Sequence, residues 1–169
     1  HARLSGAALS PDAKRVVAIQ SGNDYRNSIL LLDVYTGKKL GQFLAPENEF
    51  YSMPRWSDNG EKIVFLKTGR AGKTIAIWDI REGTAFNVLP VTQENIGHPV
   101  LMGEYLFFNS PISGIDNIYV FNLKTRKRYQ LTSSKYAAYN PSITDDGKTI
   151  YYNEQTRNGL DVVMIPFNE

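Results

Sequence analysis

A repeat of 42 to 45 residues constrains this sequence more than any other feature. Residues 54–63 and 141–150 superpose without a gap on residues 7–16, and each copy has the pattern of a small strand, a turn and a second strand. A fourth copy fits if two turn residues are deleted, and Pro54, Pro99 and Pro141 are then spaced 45 and 42 residues apart. Periods of 20 to 50 residues are typical of stacked supersecondary units, so the repeat has to be interpreted before any single element.

A second strand pattern has the same period. Near the end of its first three copies it contains Asp33, Asp79 and Asn122, which are spaced 46 and 43 residues apart. Gly37 and Gly83 follow the first two copies, where a tight hairpin demands a positive φ, and the third copy has no glycine there. The four apolar segments of this pattern are residues 29–34, 75–80, 118–123 and 162–165.

Each unit therefore reads as a four-stranded antiparallel meander. No stretch has the i, i+3, i+4, i+7 apolar pattern of a helix, and turn signals interrupt the chain about every 8 to 12 residues. One meander cannot bury both of its faces, and radial stacking of such units makes a propeller. We predict an all-β fold, a β-propeller-like array of about four blades in a single domain or a fragment of one. The blades are expected at about residues 5–46, 50–92, 96–133 and 137–167.

The last blade is predicted to be incomplete. Its pattern stops after the third strand, at residues 165–167. The outermost strand would have to come from residues 2–4, from another chain or from missing sequence. Because an unpaired strand edge can accept a further strand, a homodimer through open blade edges is one expectation.

Composition excludes several classes of function. Of the 169 residues, 42% are hydrophobic and 21% are charged, which is ordinary for a globular chain. The net charge of +2 gives no field to gather nucleic acid, and no run is apolar enough for membrane insertion. The absence of cysteine excludes disulfides, thiolate zinc sites and a cysteine nucleophile. Since the chain begins with His1, we expect that targeting signals or further domains lie outside it.

Several motifs are better explained by structure than by chemistry. The segment 69–74, Gly-Arg-Ala-Gly-Lys-Thr, resembles the end of a phosphate-binding loop, but its first glycine would fall on Lys67 and a β-branched strand follows. A hairpin is the better interpretation. Asp58-Asn59 and Asp145-Asp146 are interpreted as turn residues and not as calcium ligands. His98, without a second internal histidine or a cysteine, is expected to be a packed or hydrogen-bonded core group.

No catalytic residue is predicted. The hydroxyls of Ser10, Ser57 and Thr144 recur at equivalent positions, so we expect them to cap the turns that follow them. There is no Gly-x-Ser-x-Gly elbow and no serine and histidine placed for mutual activation. We therefore predict no enzyme activity in this chain, no cofactor and no metal site.

The one basic cluster has two interpretations. Aromatic side chains lie among its cations, a mixture that suits nucleic acid. Alternation along an outer strand would, however, point the cations to solvent and the aromatic rings inward, and we favour that interpretation because charge elsewhere is balanced. The cations are Lys124, Arg126, Lys127, Arg128 and Lys135, and the rings are Phe121, Tyr129 and Tyr136.

The candidate contact surface consists of tyrosine and arginine side chains in loops or at the starts of inner strands. These are the residue types enriched in binding hot spots. The candidates are Tyr25, Arg26, Tyr51, Tyr136, Tyr139 and Arg157.

The pattern Pro-x-Trp-Ser-x-x-Gly followed by an apolar strand, at Pro54, Trp56, Ser57 and Gly60, resembles the WD-like repeat of TolB, tricorn protease and prolyl oligopeptidase propellers. The resemblance to TolB implies a non-enzymatic module of a bacterial cell-envelope protein, periplasmic or secreted, that binds a protein or peptide. The alternative is the substrate-gating propeller of a prolyl oligopeptidase-like or tricorn-like peptidase whose catalytic domain lies outside this chain. A Gly-x-Ser-x-Gly segment in neighbouring sequence would separate the two.

Overall fold

The computed structural model describes residues 3–22 and 26–168, and within them it contains fifteen strands and no helix. The chain forms two compact units, residues 1–93 and 94–169. Each unit contains two antiparallel sheets.

The first unit has two four-stranded sheets, each joined in sequence order as a meander. The first sheet contains β1 (Arg3–Leu9), β2 (Arg15–Ser21), β3 (Asn27–Asp33) and β4 (Lys39–Leu44). The second contains β5 (Phe50–Trp56), β6 (Lys62–Gly69), β7 (Gly72–Asp79) and β8 (Thr84–Asn87).

The second unit has one four-stranded and one three-stranded sheet. The former contains β9 (Gly97–Met102), β10 (Tyr105–Ser110), β11 (Asn117–Asn122) and β12 (Arg128–Gln130). The latter contains β13 (Ala137–Ile143), β14 (Thr149–Thr156) and β15 (Gly159–Pro166). The predicted all-β array of four-stranded blades with an incomplete last blade is confirmed.

The N-terminal segment does not complete the last sheet. Arg3 and Leu4 belong to β1, where they pair with Ser21 and Gln20 of β2. The expectation that residues 2–4 supply the missing strand is therefore wrong for these two residues, because their backbone groups already bond within the first sheet. Ala2 lies outside the described residues.

The turn between the first and second strands of a sheet recurs as one hydrogen-bonded motif. A serine or threonine hydroxyl and an aspartate or asparagine side chain form it, as predicted. In the second sheet Ser57 Oγ accepts the N–H of Lys62 at 3.0 Å and donates to Asn59 Oδ1 at 2.7 Å. Asn59 Oδ1 also accepts the N–H of Glu61. The same three bonds recur around Ser10 with Asp12, and around Thr144 with Asp146. The turn thus satisfies its own polar groups.

The second recurring position caps the hairpin between the third and fourth strands. Asp33 Oδ1 accepts the N–H of Thr36, and Asn122 Oδ1 accepts that of Thr125, both at 2.8 Å. The residue that follows the capped threonine has a positive φ, which is +66° at Gly37. Arg126 takes the same conformation with φ of +59°, so the third copy keeps the turn without glycine.

The core of the first unit is built from facing side chains of its two sheets. Phe43 on β4 stacks on Tyr51 at a centroid distance of 5.6 Å and on Trp78 at 5.4 Å, and Phe65 packs edge-on against Tyr51 at 4.8 Å. Trp56 Nε1 donates to the carbonyl of Ala8 across the interface at 3.0 Å. The predicted burial of one blade against the next accounts for these contacts.

A buried asparagine joins the two sheets of the first unit. Asn27, 7% exposed, donates from Nδ2 to the carbonyl of Tyr51 at 2.9 Å and accepts the N–H of Tyr51 at Oδ1 at 3.1 Å. Asn117 holds the corresponding place in the second unit, where its Oδ1 accepts the N–H of Ser134 and the hydroxyl of Thr132. Asn27 thus satisfies both backbone groups of one residue of β5, and Asn117 satisfies a backbone group of the linker before β13.

The core of the second unit is smaller and closes on its C-terminal residues. Phe107, Ile118 and Ile150 are fully buried in it. Phe167 follows β15 and packs edge-on against Phe107 at a centroid distance of 5.0 Å. Its N–H donates to the carbonyl of Lys148, so the end of the third strand is fixed to the turn before β14.

Replacing Asn27 with alanine is expected to lower the free energy of unfolding by about 1–3 kcal/mol for each polar group of Tyr51 left unsatisfied. Denaturant unfolding monitored by tryptophan fluorescence measures it. The exposed Asn87→Ala is the matched control and should stay within about 0.5 kcal/mol of the wild type. Equal effects of the two substitutions would contradict the role of Asn27.

The Thr144 hydroxyl, followed by the N–H of Lys148, lowers the pKa of Asp146 from its ordinary value of 3.8. A lowered folded pKa contributes stability above pH 3.8 that is lost as the pH falls through the folded pKa. In Thr144→Val the pKa of Asp146, followed by NMR titration, should rise towards 3.8, and that of Asp12 in the first sheet should not change. An unchanged Asp146 pKa would contradict this assignment.

Candidate functional site

A concavity lies at one end of the sheets of the first unit. We call this the linker end: there the first strand of a sheet begins, the second strand ends, and the chain passes from one sheet to the next. The linker of residues 45–49 and the hairpin between β6 and β7 meet at this end, and their side chains line a cleft.

The cleft has two chambers that share Glu49, Lys67 and Asn87 in their walls. The outer chamber has a volume of about 450 Å³, and Glu47 and Arg70 lie in its wall. The inner chamber measures about 340 Å³, and four of its ten lining residues are aromatic. Its apolar lining includes Phe43, Tyr51, Phe65 and Phe86. The cleft thus combines aromatic rings with charged and amide side chains, and both kinds of group occur in ligand sites.

An ion pair marks the boundary between the chambers. Lys67 Nζ lies 2.9 Å from Glu49 Oε2, and the two side chains are 25% and 26% exposed. Burial, and then the negative charge of Glu49, raise the pKa of Tyr51 to about 12. The Tyr51 hydroxyl therefore stays protonated at neutral pH and serves as a neutral polar group in the wall.

The segment that resembled a phosphate loop is one side of the cleft and forms the expected hairpin. β6 ends at Gly69 and β7 begins at Gly72, with two residues between them. Gly72 has a φ of +129°, and a Cβ on it would lie 2.2 Å from the carbonyl oxygen of Thr92, so only glycine fits. Thr74 Oγ1 donates to the Leu89 carbonyl at 2.6 Å, which gives the hydroxyl a structural role.

Two of the predicted contact residues lie at the linker end of the first unit. Arg26 is exposed, and its guanidinium donates to the Ala45 carbonyl at 3.4 Å. Tyr51 is only 4% exposed, because its ring is packed between Phe43 and Phe65, so it contributes to the wall of the inner chamber and little to the outer surface. Tyr25 lies outside the described residues.

The other three predicted contact residues lie at the linker end of the second unit. Tyr136 directly precedes β13 and is 43% exposed. Tyr139 is half-buried on β13, with its ring 6.5 Å from that of His98. Arg157 is exposed in the turn between β14 and β15. The structure thus places these three side chains at one end of one sheet.

The basic cluster differs from the expected alternation. Phe121 is buried as expected, whereas Tyr129 is 52% and Tyr136 43% exposed, so the prediction of inward rings is wrong for both. In β12 the inward position belongs to Arg128, whose guanidinium lies 4.3 Å from the centre of the Tyr119 ring and 3.2 Å from Glu94 Oε2. The expectation that alternation points every cation of β12 to solvent is wrong for Arg128, because cation–π and ion-pair contacts stabilise this arginine on the inward face.

Exposure of the remaining cations agrees with the interpretation of a solvated edge. Lys124, Arg126, Lys127 and Lys135 are all exposed. Lys124 also forms an ion pair with Glu104, whose carboxylate raises the lysine pKa. Three of these exposed cations lie in the hairpin between β11 and β12, and Lys135 lies in the linker before β13.

His98 lies in a polar chain on the second unit. Asn109 Nδ2 donates to Asp116 Oδ1 at 2.8 Å, so its Oδ1 faces His98 Nδ1, also at 2.8 Å. An amide oxygen only accepts, and Nδ1 of the imidazole must therefore carry a proton. His98 has a φ of +51° in the irregular part of β9, a conformation shared by Gly6, Met53 and Asn140 in the other first strands. The expectation of a hydrogen-bonded histidine is confirmed.

Two groups were missed by sequence reasoning. The period alone could have indicated Asn27, Thr74 and Asn117, which are 47 and 43 residues apart at the starts of third strands. No sequence signal indicated the pair of Glu49 and Lys67, since its partners come from a linker and a strand. Within the described ranges, three or more histidine, aspartate or glutamate side chains nowhere assemble as a set that could hold a metal ion. No helix of these ranges is long and apolar enough to cross a membrane.

Solved structures similar to this chain share its fold at low sequence identity. A protein from Agrobacterium tumefaciens assigned as TolB matches with a TM-score of 0.82 and 16% identity over 97% of this chain and 62% of its own. TolB from Acinetobacter baumannii matches with a TM-score of 0.80 and 18% identity, over 98% of this chain and 41% of its own. A puromycin-hydrolyzing peptidase from Mycobacterium tuberculosis matches with a TM-score of 0.69 and 15% identity, over 99% of this chain and 30% of its own.

These matches define the fold, and each covers only part of the solved structure. No protein-family model and no curated protein matches the sequence. The chain spans 30% to 62% of the length of the three structures. Nearly all of it superposes on part of a propeller in each case, in agreement with the four consecutive sheets and the repeat of the sequence. The chain therefore has the fold of a TolB-like β-propeller.

Proposed function

We propose that this chain is a non-enzymatic module that binds a protein or a peptide through its linker ends. The observation that carries the proposal is the cleft at the linker end of the first unit, with an aromatic floor and charged rim. The exposed side chains of Arg26, Tyr136 and Arg157 supply further contact groups of the types that dominate binding hot spots.

The likeness to TolB supports a role of this kind in the bacterial cell envelope. We infer that the protein acts in the periplasm or outside the cell, as part of a larger protein. The net charge of +2 favours a protein or peptide over nucleic acid as the partner. Membrane insertion and a cofactor form no part of the proposal.

A second candidate is the propeller portion of a peptidase. The likeness to the puromycin-hydrolyzing peptidase, of which this chain covers 30%, favours it. In that case the catalytic groups would lie on another domain, and the cleft would contact substrate peptides on their way to it. Binding of peptides by this chain is common to both candidates.

Selection from a random-peptide display library tests the proposal. Bound peptides should lose about tenfold or more in affinity to the Arg26→Ala or Arg157→Ala variant, a loss typical of a hot-spot side chain. Tyr35→Ala is the matched control, because Tyr35 is 82% exposed in a turn at the opposite end of the first sheet. The proposal fails if no binders emerge, or if the binders depend on Tyr35 and on neither arginine.

We also propose that two copies of the chain associate through β15. This strand pairs with β14 on one side, and its sheet has three strands where the other three sheets have four. Leu160, Val162 and Met164 on it are 56%, 75% and 66% exposed. Antiparallel pairing of β15 with its copy about a two-fold axis would add the missing strand to both sheets, because such an interface is self-complementary.

Light scattering of the purified chain tests this association. A dimer has twice the 19.1 kDa of the monomer. Val162→Lys should give a monomer, since lysine on an edge strand opposes further pairing and the two new charges would meet near the centre of the paired strands. Leu40→Lys on β4, an outer strand of a complete sheet, is the control and should remain dimeric. A monomeric wild type at all concentrations would exclude the dimer.

A further inference from the structure

The sequence contains two Asn-Gly dipeptides, Asn59-Gly60 and Asn158-Gly159, and the fold holds them differently. An asparagine before glycine can lose its side-chain amide nitrogen, because glycine has no side chain to keep its backbone nitrogen away from the neighbouring amide carbon. Both dipeptides lie where one strand is joined to the next, between β5 and β6 and between β14 and β15. Local sequence therefore does not distinguish them.

The amide of Asn59 is fixed by hydrogen bonds. Its Oδ1 accepts from Ser57 Oγ at 2.7 Å and from the N–H of Glu61 at 3.1 Å, and its Nδ2 donates to Glu61 Oε2. Gly60 is buried, and its N–H donates to the carbonyl of Ser57 at 3.0 Å. The amide carbon of Asn59 and the nitrogen of Gly60 can therefore meet only after this turn has opened.

The second dipeptide has none of this support. Asn158 and Gly159 are both exposed. Within the described part of the chain the side chain of Asn158 forms no hydrogen bond, and its backbone N–H donates to Thr156 Oγ1 at 3.3 Å. Thr156 and Gly159 form the last pair of the ladder between β14 and β15, and the ends of ladders open at little cost in free energy. The amide of Asn158 is thus free to turn towards the nitrogen of Gly159.

The protection of Asn59 is kinetic, because the reaction product would fit its turn. Asp12 and Asp146 occupy the position of Asn59 in the turns of the first and last sheets, and their carboxylates form the corresponding hydrogen bonds. A carboxylate at position 59 is therefore compatible with the motif. What the turn opposes is the approach of the two reacting atoms.

We propose that Asn158 is a site of spontaneous deamidation and that Asn59 is protected from the same reaction by its turn. The nitrogen of Gly159 attacks the side-chain amide carbon of Asn158 and forms a new carbon–nitrogen bond. The bond from that carbon to Nδ2 breaks, and the departing group takes up the proton lost by Gly159 and leaves as ammonia. Water then opens the cyclic imide at either of its carbonyls, which gives aspartate or isoaspartate.

The reaction changes both the charge and the backbone of the hairpin. It places a carboxylate next to Arg157, one of the predicted contact residues, and isoaspartate also lengthens the main chain by a methylene just before β15. A negative charge at this position would oppose acidic groups that Arg157 attracts. The modification itself goes beyond the proposed binding function and does not depend on it.

Peptide mapping by mass spectrometry, after incubation of the purified chain in mildly alkaline buffer, tests the proposal. Digestion with a protease active in acid avoids imide formation during the digestion itself. In the folded chain Asn158 should deamidate about tenfold or more faster than Asn59, because the bonds around Asn59 must open first. In the chain unfolded in urea the two rates should agree within about threefold, since the same dipeptide then reacts without its turn.

Two serine variants assign the protection to the turn. Ser57→Ala removes the hydroxyl that donates to Asn59 Oδ1, and it should speed deamidation of Asn59 about fivefold or more. Ser10→Ala removes the equivalent hydroxyl from the first sheet and is the matched control, so the rate at Asn59 should not change. In Asn158→Gln the deamidation product of the folded chain should disappear from this hairpin.

The outcomes are distinct. Faster reaction at Asn158 in the folded chain, together with similar rates in urea, supports the proposal. Equal rates at the two sites in the folded chain would overturn it, and so would an Asn158 that reacts only in urea. A rate at Asn59 that responds equally to Ser57→Ala and to Ser10→Ala would overturn the protective role of the turn.

Discussion

Burial of one sheet face against the next is the interaction on which the rest of this structure depends. A four-stranded meander satisfies its backbone through its ladders but leaves apolar faces that only another sheet can cover. In the first unit Phe43, Tyr51, Phe65 and Trp78 form that contact, and their rings pack in stacked and edge-on arrangements at centroid distances of 4.8 to 6.3 Å. Asn27 joins the two sheets as well, because its amide bonds both backbone groups of Tyr51 on β5.

The same packing creates the candidate site. Two sheets joined by a linker pack along their apolar faces, and at the linker end Glu49 and Lys67 line the cleft. The lining of the cleft thus combines aromatic side chains of the core with charged side chains at the linker end. A cleft of this kind needs few residues beyond those that form the fold, because the rigid sheets position the side chains of short loops.

Much of the fold could be predicted because it is local. The bonds around Ser57 span five residues, and those around Asp33 span three, so the repeat of these residues predicts each turn wherever it occurs. Arg126 shows the limit of this reasoning: it takes a conformation usually given to glycine, which the cap at Asn122 and the sheet impose. Arg128 shows another, because its partners Tyr119 and Glu94 come from other segments.

The sequence by itself determined the number of sheets, the order of their strands and the incomplete last sheet, since turns and strand alternation depend on neighbours in the chain. It also placed Arg26, Tyr136 and Arg157 in loops or at the start of a strand. Only the tertiary structure decided that Tyr51 is buried and that Lys67 meets Glu49 across a cleft. These facts depend on distances between residues of different elements, which packing sets and local sequence does not encode.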